Sequence, residues 1–237
     1  MVDAIVTMKR YELKYIMSKE QTEYLKQSLV GHMEVDKYGL TSIASLYYDT
    51  PSYQLIRTSI EKPPFKEKMR LRSYGLATNE STVFLELKRK ANKIVYKRRV
   101  PTTIERVNNF FNGDEDICAD GQIAREIRYF KNYYQNLVPQ CLIIYDRVAY
   151  FEKDGDLRLT IDHNPRYRIN DLNLTSSMDG IPLLNEGETI LEIKVQEAMP
   201  LWLSHILDKG RIYQGSFSKY GEAYKQQAYK IYLGKEL

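Results

Sequence analysis

Charged and apolar residues alternate along a central stretch of the chain, and this alternation constrains the fold more than any other feature. In residues 66–74, four basic side chains fall on one face of a strand: Lys66, Lys68, Arg70 and Arg72. Met69 and Leu71 fall on the opposite face, as the two-residue period of a β-strand requires. Residues 62–99 hold twelve basic and three acidic side chains, although the whole chain of 237 residues has a net charge of only +4. The sequence therefore predicts a strand face with a local excess of positive charge.

Basic residues recur at alternate positions on further predicted strands. Those that would share one face of a sheet are Lys14, Arg70, Arg72, Lys88, Lys97, Arg147, Arg158 and Lys194. Like charges on neighbouring strands repel, and an unpaired buried charge is costly, so this face must either contact water or enclose an anion. Because predicted helices can cover the apolar face, we expect the charged face to line an interior. The expected fold is α+β: a closed antiparallel β-tunnel of about eight strands with helices packed outside.

Helix signals separate the predicted strands. Ser18 followed by Gln21 matches a capping box, and Thr50-Pro51 predicts a cap followed by the first residue of a helix. Further helices are predicted over four segments: residues 103–111, 122–137, 200–207 and 218–233. No linker is evident, so we predict a single domain over residues 1–237, although two small domains would also fit this length.

The N-terminal sequence, the hydropathy and the cysteine count indicate the compartment in which the protein works. The N-terminus lacks the apolar segment of a signal peptide, and no stretch approaches the roughly 18 apolar residues that a membrane span needs. Two cysteines, Cys118 and Cys141, are too few for a disulfide scaffold. We therefore expect a cytoplasmic protein, which would need a membrane-protein partner to act at a membrane. The sequence does not indicate an oligomeric state.

Carboxylates alternate with the basic residues on three of the predicted strands. The pairs that share a strand face are Glu12 with Lys14, Glu86 with Lys88, and Glu192 with Lys194. Mg²⁺ or Mn²⁺ binds one or two carboxylates together with phosphate oxygens, so the three glutamates are candidate metal ligands. Alternatively, the glutamates only neutralise the neighbouring lysines.

Other chemistry is not indicated. The chain has neither a phosphate-binding glycine loop nor a dinucleotide fingerprint, and its three histidines lack the spacing of a zinc site. Basic and aromatic residues near residues 68–74 could contact nucleic acid, but the interleaved carboxylates and the small net charge argue against it. Since arginine binds phosphate in a bidentate manner, the expected ligand of the charged face is a polyanion that carries phosphate groups.

The order of the charged segments resembles that of the triphosphate tunnel metalloenzymes, and is most similar to their vacuolar transporter chaperone (VTC) branch, the polyphosphate polymerases. The matching segments span residues 9–225 and read, in order, RYELKY (10–15), LYYDT (46–50), KMRLR (68–72), LELK (85–88), VYKRR (95–99), YDR (145–147), LRLTID (157–162), LEIK (191–194) and FSKY (217–220). Two positions depart from the family pattern. Arg10 stands where hydrolytic and cyclase members carry glutamate, and Ser216 stands where a basic residue is expected.

Together with the alternation, the resemblance implies a role for each candidate site residue. The expected catalytic residues are Arg70, Arg72, Lys88 and Lys219. The expected phosphate-binding residues are Lys14, Lys97, Arg147, Arg158, Lys194 and Ser218. The expected ligands of Mn²⁺ or Mg²⁺ are Glu192, Glu12 and Glu86.

The implied activity is transfer of the ATP γ-phosphate to a growing polyphosphate chain. Arg10 favours this activity, because it removes a carboxylate that could orient water. A terminal phosphate oxygen is already anionic and needs no general base, whereas a hydrolase must activate water. The alternatives are a tripolyphosphate or nucleoside triphosphate hydrolase and a non-catalytic polyphosphate-binding module.

Overall fold

One antiparallel sheet runs through the chain in the computed structural model, which describes residues 11–92, 94–117, 121–153, 155–196 and 198–232. Arg10 and Cys118 lie outside these residues. Within them, eight strands have seven or more residues: β1 (Tyr11–Met17), β3 (Thr41–Asp49), β4 (Phe65–Tyr74), β5 (Val83–Ala91), β6 (Ile94–Thr102), β7 (Val138–Phe151), β8 (Arg158–Arg168) and β10 (Thr189–Val195). Three strands have two residues: β2 (Glu34–Val35), β9 (Ile181–Pro182) and β11 (Gln214–Gly215).

Hydrogen bonds join the strands in the order β11-β1-β10-β8-β7-β3-β4-β5-β6, with β2 added to β7 and β9 added to β8. The predicted α+β class, antiparallel sheet and number of long strands are confirmed. Backbone closure is not confirmed, because in the described part of the chain no hydrogen bonds join β6 to β1 or β11.

The sheet nevertheless curls strongly toward its charged face. Nζ of Lys88 on β5 lies 3.4 Å from Oε2 of Glu12 on β1. These strands are six positions apart in the sheet, which would separate them by about 29 Å if the sheet were flat. The charged face is therefore concave, and we refer to it as the inner face.

Six helices lie in the described ranges: α1 (Lys19–Ser28), α2 (Gln54–Ile60), α3 (Ile104–Asn112), α4 (Gln122–Tyr134), α5 (Leu201–Lys209) and α6 (Lys219–Tyr232). Four of them cover the apolar outer face. Leu25 of α1 and Leu203 of α5 pack on one half of the sheet, while Phe110 of α3 and Phe130 of α4 pack on the other half. Each such buried side chain contributes about 1.5–3 kcal/mol of hydrophobic stabilisation. In the described ranges, none of the helices has the length and apolar character needed to traverse a bilayer.

The remaining two helices, α2 and α6, pack against the inner face. Ile56 of α2 and Tyr220 of α6 share a core cluster with Tyr47 and Ile143. Tyr47 pairs with Arg70 in the sheet register, so its side chain belongs to the charged side. The prediction that helices pack outside thus holds for four helices, whereas α2 and α6 fill part of the concave side.

Candidate polyanion-binding site

Glu86 lies at the centre of one group of cations on the inner face. Its side chain is 1% exposed and faces Arg70 at 2.8 Å, Lys97 at 2.7 Å, Arg99 at 3.6 Å and Arg72 at 3.8 Å. Burial alone would raise the pKa of Glu86, but the field of Arg70 and Arg72 lowers it to about 2. One carboxylate opposite four cations leaves an excess of positive charge, which suits a polyanion.

Asp162 holds a second pair of cations. Its carboxylate is fully buried and accepts two hydrogen bonds from Arg147, at 2.5 and 2.8 Å, and one from Lys219. Burial opposes ionisation, but Lys219 and Arg147 hold the pKa of Asp162 below its usual range. We did not predict Asp162 as a site residue. The signal for it was present, because residues 158, 160 and 162 alternate onto one face of β8.

Two glutamates and three lysines form a third group, on β1, β10 and β5. Lys14 lies 3.3 Å from Glu12 and 3.9 Å from Glu192, while Lys88 contacts Glu12 at 3.4 Å and Lys194 contacts Glu192 at 2.7 Å. Burial raises the pKa of both carboxyl groups, but the lysines hold both pKa values below the ordinary range. The negative charge of Glu192 lies close enough to Glu12 to act against this lowering, since it raises the pKa of Glu12. All three predicted metal ligands therefore face the inner side, two of them near each other.

The start of helix α6 closes one part of the inner face. Nζ of Lys14 donates to the Phe217 carbonyl at 3.3 Å, and Nζ of Lys68 donates to Oγ of Ser218 at 3.1 Å. The Ser218 hydroxyl also accepts the Gly221 N–H at 3.2 Å, within the first turn of the helix. The helix N-terminus, which favours negative charge, thus begins among the predicted phosphate-binding residues.

Asp49 holds α2 and α6 in place. Its buried carboxylate accepts the N–H groups of Leu55 at 2.8 Å and Ile56 at 2.9 Å, together with the Tyr220 hydroxyl at 2.9 Å. Tyr220 follows Ser218 and Lys219, so this contact fixes the segment that faces the inner cations. Our sequence reasoning did not predict a role for Asp49.

Arg158 differs from the other predicted residues. Its side chain is exposed and donates to carbonyl groups of the β7–β8 turn, at 3.0 Å to Leu157 and 3.3 Å to Gly155. The predicted phosphate contact of Arg158 stays a prediction. By strand register Arg158 shares a face with Lys194, and the other twelve predicted residues lie on the same inner face or at the start of α6.

The donor set fits a divalent ion that arrives together with phosphate. Glu12 and Glu192 supply two neighbouring carboxylates, and Mg²⁺ commonly takes one or two carboxylates plus substrate oxygens. Among the described residues, no group of three or more histidine, cysteine, aspartate or glutamate side chains could hold an ion without substrate. Glu86 fits less well, because four cations compete for its carboxylate.

Lys68 is a member of the inner face that we had not assigned to the site. No carboxylate of the described residues lies within ion-pair distance of its ammonium group, which contacts Ser218 instead. Burial, reinforced by Lys88 and Lys14, lowers the pKa of Lys68 to about 7. A bound polyanion would raise this pKa again, so we expect ligand binding to take up a proton near neutral pH.

We expect Lys68→Met to stabilise the ligand-free protein and to weaken triphosphate binding. Between pH 7 and the ordinary lysine pKa of 10.5, the unfolded chain binds this proton and the folded chain does not, so wild-type stability rises with pH. The gain on substitution should be about 1 kcal/mol or more at pH 7 and should shrink toward pH 10. Denaturant unfolding at pH 7 and pH 10 measures this gain in the free energy of unfolding. Lys209→Met, which replaces an exposed lysine, is the control. A destabilised Lys68→Met protein at pH 7 would contradict the expectation.

The solved structures that share this fold include two that align with most of the chain. A Bacillus halodurans protein described as a candidate adenylate cyclase aligns with a TM-score of 0.56 and 15% identity, over 89% of this chain and 96% of its own. A Hippeastrum protein described as a candidate adenylyl cyclase with a dominant triphosphatase activity aligns with a TM-score of 0.55 and 15% identity, over 97% of this chain and 98% of its own. Identities this low establish the fold alone.

The family comparison covers nearly the whole chain. No curated protein matches the sequence significantly. The sequence profile of the VTC domain, however, matches residues 9–227, and this range contains every residue of the three charged groups described above. The resemblance found in the charged segments is thereby confirmed, and the chain belongs to the VTC domain family.

Proposed function

We propose that this chain is a polyphosphate polymerase, which transfers the γ-phosphate of ATP to a growing polyphosphate chain on the inner face. A terminal oxygen of the chain forms a new bond to the γ-phosphorus, the bond between that phosphorus and the β,γ-bridging oxygen breaks, and ADP leaves with the electron pair. Such a transfer needs mainly positioning and stabilisation of negative charge.

The observation that carries this proposal is the state of the inner-face carboxylates. Glu12, Glu86, Asp162 and Glu192 each contact at least two cations, and each has a pKa below its ordinary value. A general base that activates water works best with a pKa near the working pH. These groups are therefore poor bases, which favours a nucleophile that is already anionic.

The cations divide into two sets in this proposal. Arg70, Arg72, Lys88 and Lys219 contact the transferred phosphoryl group. The neighbouring phosphates are held by Lys14, Lys97, Arg147, Arg158, Lys194 and Ser218. Glu86 and Asp162 keep their arginines in position when no substrate is bound. Side-chain contact between β1 and β5, as in the Glu12–Lys88 pair, supports a tunnel that closes around the phosphate chain.

A divalent ion belongs to this proposal as well. Mn²⁺ or Mg²⁺ bound to Glu192 and Glu12 would neutralise charge on the phosphate oxygens. Glu86 stays the third predicted ligand. We further propose that residues 1–237 form one domain, which the continuous sheet from β1 to β11 supports. The cytoplasmic location and a tethering membrane-protein partner stay predictions.

One assay separates the proposal from its alternatives. The protein is incubated with ATP and Mn²⁺ or Mg²⁺, and the products are resolved by gel electrophoresis and a free-phosphate assay. We expect long polyphosphate together with ADP. Release of free phosphate alone would instead support a triphosphate hydrolase, the activity for which the Hippeastrum protein is described. Binding without any product would support a non-catalytic polyphosphate-binding module.

Metal dependence should change when Glu192 is replaced. We expect Glu192→Gln to raise the Mn²⁺ concentration for half-maximal activity by about tenfold or more, because the amide removes one of two neighbouring charged ligands. Metal titration of the initial rate measures this value. The control is Glu186→Gln, since Glu186 is exposed and precedes the same strand, β10. This variant should leave the metal titration unchanged. An unaltered metal requirement in Glu192→Gln would rule out the assigned role.

A further inference from the structure

We propose that Tyr74, Phe84 and Arg99 form a subsite for the base of a nucleoside triphosphate. This inference rests on the proposed function, because it assigns the nucleoside end of the same substrate. The two rings continue the inner face beyond the Glu86 group, to which Arg99 belongs. Phe84 precedes Glu86 by two residues on β5 and lies opposite Arg72 in the register. Tyr74 follows Arg72 by two residues on β4.

Arg99 connects the phosphate-binding group to these rings. Its Nε lies 3.6 Å from a carboxylate oxygen of Glu86, while its Nη2 donates to the Tyr74 hydroxyl at 3.1 Å. The guanidinium carbon lies 3.6 Å from the centroid of the Phe84 ring. One cation therefore spans from the charged group to the aromatic side chains.

Arg99 also retains an unused donor at this junction. Its buried Nε has no hydrogen-bond partner in the described part of the chain, since Glu86 lies beyond hydrogen-bond distance. A buried donor without a partner costs free energy, which a ligand oxygen placed between the rings and Glu86 would recover. A phosphate or ribose oxygen has the required chemistry.

The rings offer surface for stacking. Tyr74 is 48% exposed and meets Phe84 in a T-shaped contact, with centroids 5.9 Å apart. The Arg99 guanidinium lies over both rings, so a base would stack on the exposed part of Tyr74 or on Arg99 itself. Bases stack on aromatic side chains and on arginine, with about 1–3 kcal/mol for each base. Two residues along β5 span about 7 Å. A base beside Phe84 would therefore be separated from phosphates near Glu86 by about the length of a ribose.

Two ligands test the subsite: a non-hydrolysable ATP analogue and tripolyphosphate, each with Mg²⁺. Calorimetry gives the Kd of both for wild type, Tyr74→Leu and Phe84→Leu. We expect both variants to bind the ATP analogue about tenfold more weakly and to bind tripolyphosphate within twofold of wild type. Tripolyphosphate binding thereby also shows that the variants are folded. Tyr133→Leu, which removes an exposed ring from α4 on the outer side, should change neither Kd.

Each other outcome overturns a specific claim. An equal loss for both ligands, or no loss for the ATP analogue, would overturn the subsite while leaving the proposed function intact. If wild type bound neither ligand, the proposed function would fail, and the subsite with it.

Discussion

Turnover should fall by at least a hundredfold when Arg70 is replaced by methionine, while the protein remains folded. The guanidinium faces the inner side, where its positive charge can stabilise the transferred phosphoryl group. Removing one preorganised donor of this kind commonly costs a factor of about 100–1,000 in rate. Glu86 would keep its ion pair with Lys97 at 2.7 Å, so its buried charge stays compensated. Initial rates with ATP and metal, measured beside far-UV circular dichroism, test both parts.

Arg98→Met is the matched control for this experiment. Arg98 lies on the outer side of β6, where it donates to Glu126 at 3.0 Å, and its side chain is 18% exposed compared with 20% for Arg70. The two substitutions therefore remove equally buried arginines from opposite sides of one sheet. We expect Arg98→Met to lower stability modestly and to keep most of the activity. A similar rate loss in both variants would mean that position relative to the inner face does not matter, and the proposed site would be wrong.

Asp162→Asn should cause the largest loss of stability, about 3–5 kcal/mol at pH 7. Arg147 and Lys219 would remain largely buried without the carboxylate that contacts both of them, and removing one partner of a buried ion pair typically has this effect. The loss depends on pH, because the pKa of Asp162 is lower in the folded protein than in the unfolded chain. Its stabilisation is present above the unfolded pKa of about 3.9 and disappears as the pH falls through the lower folded value.

Denaturant unfolding at pH 7 and near pH 3 measures this difference. The free energies of unfolding of wild type and Asp162→Asn should differ most at pH 7 and less near pH 3. Asp208→Asn, on an exposed position of α5, should change stability by less than about 0.5 kcal/mol at either pH. If Asp162→Asn lost less than about 1 kcal/mol at pH 7, the carboxylate would not be needed to hold its two cations.

The inner face could be predicted from sequence because side-chain direction in a strand depends only on a period of two residues. Arg70 and Lys194 each lie between two apolar residues, and they reach the same side of the sheet as Lys88 and Lys97. The capping box at Ser18 was predictable for a similar reason, since both of its hydrogen bonds are local. Period and local chemistry therefore identified most of the candidate site.

The inner helices were not predictable in this way. Most of β3 is buried on both faces, so its sequence does not show which face meets a helix and which meets the outer core. The predicted helix start at Thr50-Pro51 was wrong, because α2 begins at Gln54. Asp49 accepts the N–H groups of Leu55 and Ile56, and this arrangement depends on Tyr220, which is distant in sequence.

The seam between β6 and β1 has a mechanical consequence. In the described residues the wall resembles a split ring, since the Glu12–Lys88 contact joins β1 to β5 without a backbone ladder beside it. Widening such a ring breaks side-chain contacts, whereas widening a closed barrel would also break a row of backbone hydrogen bonds. The concave inner face can therefore change its width while the long strands keep their pairing.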